Sequence, residues 1–145
     1  MTRKTGCLFF VLFIFCKNAS IAAEMKLPDC PESPNCVSSQ AAQNSSHYIA
    51  PFIIKSSAND AWAEIKNALL SQSRTIITKR SDITIHAETT SLVFRFVDDI
   101  DLLLDKEAGQ IHIRSASRTG HSDFDVNRKR VESIRSELQK KGVID

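Results

Sequence analysis

Glycine is scarce in this chain, four residues in 145, and that shortage excludes whole classes of chemistry. Phosphate-cradling loops and dinucleotide fingerprints need clustered glycines, and a nucleophile elbow needs G-x-S-x-G. None of these patterns occurs. Charge of one sign is missing too. The formal net charge is +2, and the surplus sits at the N-terminus: without residues 1–23, the 19 basic residues fall to 16 against 17 acidic ones. A near-neutral domain lacks the clustered positive excess of a nucleic-acid binder, so nucleic acid is not expected as a partner. Long apolar runs are absent as well. The longest, Gly6 to Cys16, holds eleven residues, short of the roughly 20 that span a bilayer as a helix. The four histidines show no metal-ligand spacing, so neither a metal nor another cofactor is expected.

The N-terminus does contain Arg3 and Lys4, then that apolar run, then Ser20-Ile21-Ala22-Ala23. A charged region, a short apolar stretch and small residues at a cleavage point describe a secretory signal peptide over residues 1–23. The expected product is periplasmic or secreted; an uncleaved signal would tether it at the inner membrane, the one route to membrane contact that the sequence offers. Only Cys30 and Cys36 lie beyond the signal. In an exported chain such a pair, with Pro31, Ser33 and Pro34 bending the segment between them, favours a disulfide. Zinc would need two further ligands where His47 is the only histidine nearby, and a catalytic cysteine would have to stay reduced outside the cytoplasm.

Residues 24–46, rich in Pro, Ser, Asn and Gln, read as an extended N-terminal arm carrying the cysteine pair, and residues 47–145 as a single domain. His47 to Lys55 is β-like but broken by Pro51, which suits an edge strand or a strand entrance. Ser57 with Asp60 three positions on predicts a capped helix from Ala58 to Ser71, with Ala58, Trp62, Ile65 and Leu69 on its buried face. Beyond Arg74 the apolar period becomes two. Ile76-Ile77, then Ile83 to Ala87, Leu92 to Val97, Ile100 to Leu104 and Gln110 to Ala116 read as antiparallel strands. Val126 to Lys141 predicts a second helix, with Asp123 or Asp125 as cap, Val131, Ile134 and Leu138 inside, and Glu137 paired to Lys141. The expected fold is α+β: a four- to five-stranded, mainly antiparallel sheet with two helices packed on one face.

Three segments concentrate the polar signal: CPESPNCVSS from Cys30, RFVDDIDLLLD from Arg95, and IRSASRTGHSDFDVNRKR from Ile113. Together they resemble the bacterial and plastid family known as "domain of unknown function 1499", over nearly everything after Pro28. That family has no established activity, so the resemblance implies a domain identity and no mechanism.

The third segment also admits a bottom-up reading. A strand's alternation puts Arg114 and Arg118 on one side and Ser115 and Ser117 on the other. With Asn127 and Arg128 at the following helix N-terminus, these make a candidate binding site for an anionic small molecule or lipid headgroup. The competing reading is structural. Residues 82–107 hold seven acids and two bases, and residues 110–145 eight bases and five acids, so Asp98, Asp99, Asp101 and Asp123 are candidate ion-pair partners for the arginines. An enzyme is the third reading, a hydrolase or transferase using Asp98, Asp99 and a histidine, His112 or His121, with Ser115, Ser117 or Ser122 as nucleophile. No recognised catalytic motif supports it, and no catalytic residue is assigned. The sequence therefore points to an exported, non-catalytic binding or accessory module of the cell envelope, with an interaction domain docking on another envelope protein as the alternative.

Overall fold

The computed structural model describes residues 25–145; the expected signal peptide lies outside the described residues. The elements in chain order are β1 (Cys36–Ser38), β2 (Phe52–Ile53), α1 (Ala58–Ser71), β3 (Thr75–Arg80), β4 (Thr84–Thr90), β5 (Val97–Asp105), β6 (Gln110–Ser117) and α2 (Val126–Lys140). All strand pairings are antiparallel, in the order β1-β6-β5-β4-β3. β2 lies further along the same edge of β6 that β1 occupies. The fold is thus α+β, with six strands where four or five are expected from the sequence. The additional strand, β1, comes from the arm, which is not merely a surface coil.

Alternation along the strands separates two chemically distinct faces. Ile85 and Ala87 of β4, Ile100, Leu102 and Leu104 of β5, and Ile111 and Ile113 of β6 form one core with Trp62, Ile65 and Leu69 of α1 and Val131, Ile134 and Leu138 of α2. The opposite face presents His86, Glu88, Asp99, Asp101, Arg114 and Arg118. α1 has the predicted bounds because both ends are defined locally. Ser57 Oγ accepts from Asp60 N–H at 3.1 Å and donates to Asp60 Oδ2 at 2.7 Å, a reciprocal cap of the kind typically worth about 1 kcal/mol.

Two expectations are corrected. Leu92 to Phe96 is not a strand but the β4–β5 connection, closed by Ser91 N–H donating to Phe96 O at 2.8 Å and Phe96 N–H donating to Ser91 Oγ at 2.9 Å. Its apolar residues alternate on both faces, so no half-buried strand accommodates them, and Arg95 adopts φ 55°. The predicted Glu137–Lys141 pair does not form either. Lys141 reaches Glu64 at 3.6 Å, and Glu137 accepts from Ser71 Oγ at 3.0 Å, so both tie α2 to α1.

Candidate functional site

Asp98 and Asp99 are adjacent in β5 and therefore point to opposite faces, which gives each a separate cluster. On the helix side, Arg130 Nη2 donates to Asp98 Oδ2 at 2.5 Å. The Arg130 side chain is 9% exposed and that of Asp98 11%. Arg130 Nη1 also donates to Ser115 Oγ at 3.0 Å and to Asn127 Oδ1 at 2.7 Å. Fully buried Asn127 is the hub: Oδ1 accepts from Ser115 Oγ at 2.6 Å, while Nδ2 donates to Asn35 O, Ser117 Oγ and Asp123 Oδ2. Asn35 Nδ2 in turn donates to Gly120 O at 2.6 Å, where φ +87° requires glycine's freedom. This network joins β1, β5, β6, the β6–α2 loop and α2 at one point.

On the open face, Arg118 spans Asp99 and Glu88, donating from Nη2 to Asp99 Oδ1 at 2.7 Å and to Glu88 Oε1 at 2.6 Å. Those two carboxylates hold its pKa above the ordinary arginine value. Arg114 donates to Asp101 Oδ2 at 3.1 Å, and His86 Nδ1 lies 2.6 Å from Asp101 Oδ1. His86, Glu88 and Asp99 offer three ligand atoms close together, but the Arg118 guanidinium supplies the cation there. Nearer the β6 start, His112 Nδ1 lies 3.1 Å from Ser39 Oγ, which accepts from Ile113 N–H at 3.0 Å. Burial lowers the His112 pKa against the raising pull of Asp105.

The third cluster lies at the end of the sheet where β4, β6 and α1 stop and β5 and α2 begin. The register pairs Thr90 with Val97 and Asp98 with Ser117, so the β4–β5 and β6–α2 loops emerge side by side. Between them is a cleft of about 280 Å³ walled by Phe94, Phe96, Phe124 and Val126, with Asp98, Ser117 and Thr119 among its polar residues. Phe94 and Phe96 stack with centroids 5.5 Å apart. Phe124 is 84% exposed and Phe94 73%. Phe124 also holds φ 52°, a left-handed conformation costing a side-chain-bearing residue roughly 1–2 kcal/mol. An exposed ring in an unfavourable backbone conformation adds nothing to folding. Val126 is shared with a second cleft lined by Arg74, Thr89, Lys129 and Arg130. Among the described residues, Arg74 uses only Nε on Thr90 O, at 2.8 Å, and Lys129 Nζ makes one bond, to Phe124 O at 3.3 Å. An apolar cleft and a basic cleft thus meet at one side chain.

The sequence model of a family described as a protein of unknown function, DUF1499, matches residues 26–138, most of the chain. The chain belongs to the DUF1499 family. No curated protein matches it.

In this DUF1499 domain each residue of the predicted anion site has an internal partner. Arg114 and Arg118 meet acids on the open face, Ser115, Ser117 and Asn127 meet in the buried hub, and Arg128 donates to Tyr48 O at 2.9 Å and Ser46 O at 2.6 Å. Arg135, two turns on, holds Pro51 O and Ala50 O in the same way, so α2 supplies the partners that the Pro51 segment cannot find in a ladder. Among the named acids, Asp98, Asp99 and Asp101 face arginines. Asp123 instead accepts from Asn127 N–H at 2.9 Å and from the Asn127 amide at 2.7 Å, capping α2 and occupying the helix end where an anion was expected. His112 lies on the opposite face of β6 from Ser115 and Ser117, Ser122 lies in the β6–α2 loop, and the hydroxyl neighbour of His112 is Ser39, from the arm. Cys30 and Cys36 are disulfide-bonded, with Cα atoms 5.7 Å apart. Sequence reasoning missed Arg130, Asn35 and the three phenylalanines. The available signal for Phe94 and Phe96 was Leu92 to Val97 itself, apolar on both alternating faces and hence unsuited to a half-buried strand; Phe124 had none.

Proposed function

We propose that this protein is a non-catalytic binding module of the cell envelope that holds an anionic amphiphile at the paired clefts, its apolar part against Phe94, Phe96 and Phe124 and its acidic group against Arg74 and Lys129. The junction of the two clefts at Val126 carries this reading. It keeps the ligand class expected from the sequence and moves the site from Arg114, Arg118 and Arg128, which are held by internal acids and carbonyls, to Arg74 and Lys129, which line the second cleft. The envelope assignment draws support from the N-terminal charged, apolar and small-residue pattern and from the Cys30–Cys36 disulfide, which persists in oxidising compartments.

Thermal unfolding with monomeric short-chain phosphatidylglycerol tests the binding role, since a ligand of the native state raises the midpoint by mass action. The expected result is a saturable rise that short-chain phosphatidylcholine does not match and that Lys129→Gln reduces. Indifference to both lipids would remove the basis for the assignment.

A further inference from the structure

The two clefts do not account for the whole apolar surface at this end. Leu92 and Val93, both exposed, line neither cleft, so an amphiphile seated between the loops would leave them in water. Contiguous exposed apolar surface of this kind marks an interaction site. Leu92, Val93, Phe94 and Phe124 project from two neighbouring loops at one end of the sheet, an arrangement that presents an apolar tip rather than a groove. Charge at the same end is arranged to match. Arg74, Arg95 and Lys129 ring the tip, while Asp98 is turned inward to Arg130 and Asp123 to Asn127; Asp125 is the acid left exposed. Aromatic side chains within a ring of cations suit the interface of a bilayer containing anionic lipid. The left-handed residues in these loops, Arg95, Gly120, Phe124 and Asp125, are the backbone conformations that give the loops this shape.

Resting on the amphiphile reading, we propose that the occupant of this end is an anionic membrane surface: the 92–96 and 124 loop tips insert among the acyl chains, and a lipid headgroup takes the basic cleft. This is a route to the membrane separate from any N-terminal tether. None of the inserted side chains belongs to the packed core, so insertion leaves the fold unchanged.

The test places a tryptophan at the tip (Phe94→Trp) or at the far end of the sheet (Ile83→Trp) of the full chain, with buried Trp62 common to both. Each is mixed with vesicles of phosphatidylcholine, alone or with phosphatidylglycerol, carrying bromine on the acyl chains as a quencher. The expected result is a blue shift and loss of emission for the position-94 probe with anionic vesicles, and neither for the position-83 probe, whatever residues 1–23 do. Lys129→Gln should weaken the anionic-vesicle effect about fivefold, the share of one cation near a charged surface. Equal quenching at both positions, or none at 94, overturns membrane insertion. If monomeric short-chain phosphatidylglycerol still raises the unfolding midpoint in that case, the amphiphile reading survives without the membrane. If it does not, both fail.

Discussion

Replacing Arg130 with alanine tests whether the last helix is docked on the sheet by a buried charge. The wild-type guanidinium makes three contacts inside the fold, to Asp98 at 2.5 Å, Asn127 Oδ1 at 2.7 Å and Ser115 Oγ at 3.0 Å. Arg130→Ala removes all three and leaves Asp98 as an unpaired charge in a site 11% exposed. Stranding one member of a buried pair typically costs about 3–5 kcal/mol, far more than the pair adds relative to apolar residues of similar volume. With a urea slope of roughly 1.5 kcal/mol per M for a domain of this size, the unfolding midpoint should fall by about 2–3 M with little change in slope. The double variant Arg130→Met with Asp98→Leu removes both charges and should recover much of that loss. Arg118→Ala is the control: its side chain is 43% exposed, so its loss should be much smaller and should shrink with added salt. A midpoint for Arg130→Ala within about 0.5 M of wild type, or a double variant no better than the single, would refute the reasoning.

Three further outcomes follow from individual residues. Reducing the Cys30–Cys36 bond should cost about 2 kcal/mol by the loop-entropy account, read as the difference between oxidised and reduced unfolding curves. Because His112 has a folded pKa below the unfolded value of about 6.5, the unfolded chain binds its proton first. Its contribution is therefore complete above about pH 6.5 and is lost as pH falls toward the folded value; His112→Gln should flatten the stability profile over that window, and an unchanged profile would exclude the assignment. Phe124→Gly should raise stability by about 0.5–1 kcal/mol, since glycine accepts the left-handed conformation and no buried area is lost, while weakening amphiphile binding; a fall in stability would mean that the ring packs in solution.

Local rules made much of this fold legible. The Ser57–Asp60 cap and the spacing of Trp62, Ile65 and Leu69 define α1 without tertiary help. Alternation places Ile85 and Ala87 on the inward face of β4 and Gln110 to Ala116 in β6, whereas Ile83 precedes β4 and is exposed. Failures occurred where a side chain's partner is distant in sequence. Asp98 and Asp99 interrupt an apolar run yet sit inside β5, because Arg130 and Arg118 meet them from elements 32 and 19 residues away. Asn127 reads as a loop-capping amide until β1 brings Asn35 across 92 residues. Cys36 to Ser38 is too short for a periodic signal and becomes a strand only because β6 offers an edge. Phe94 and Phe96 were misread for the opposite reason: their alternation with Arg95 fits a strand template, although Leu92, Val93 and Val97 make both faces of the segment apolar.

The most direct test of the binding role is a nuclear magnetic resonance titration of the domain with monomeric dihexanoylphosphatidylglycerol, following every backbone amide. The account predicts saturable shifts confined to residues 91–97, 119–130 and the Arg74 turn, weakened together in Lys129→Gln and Phe124→Gly. Shifts centred on Ser39 and His112, or no saturable shift anywhere, would contradict it.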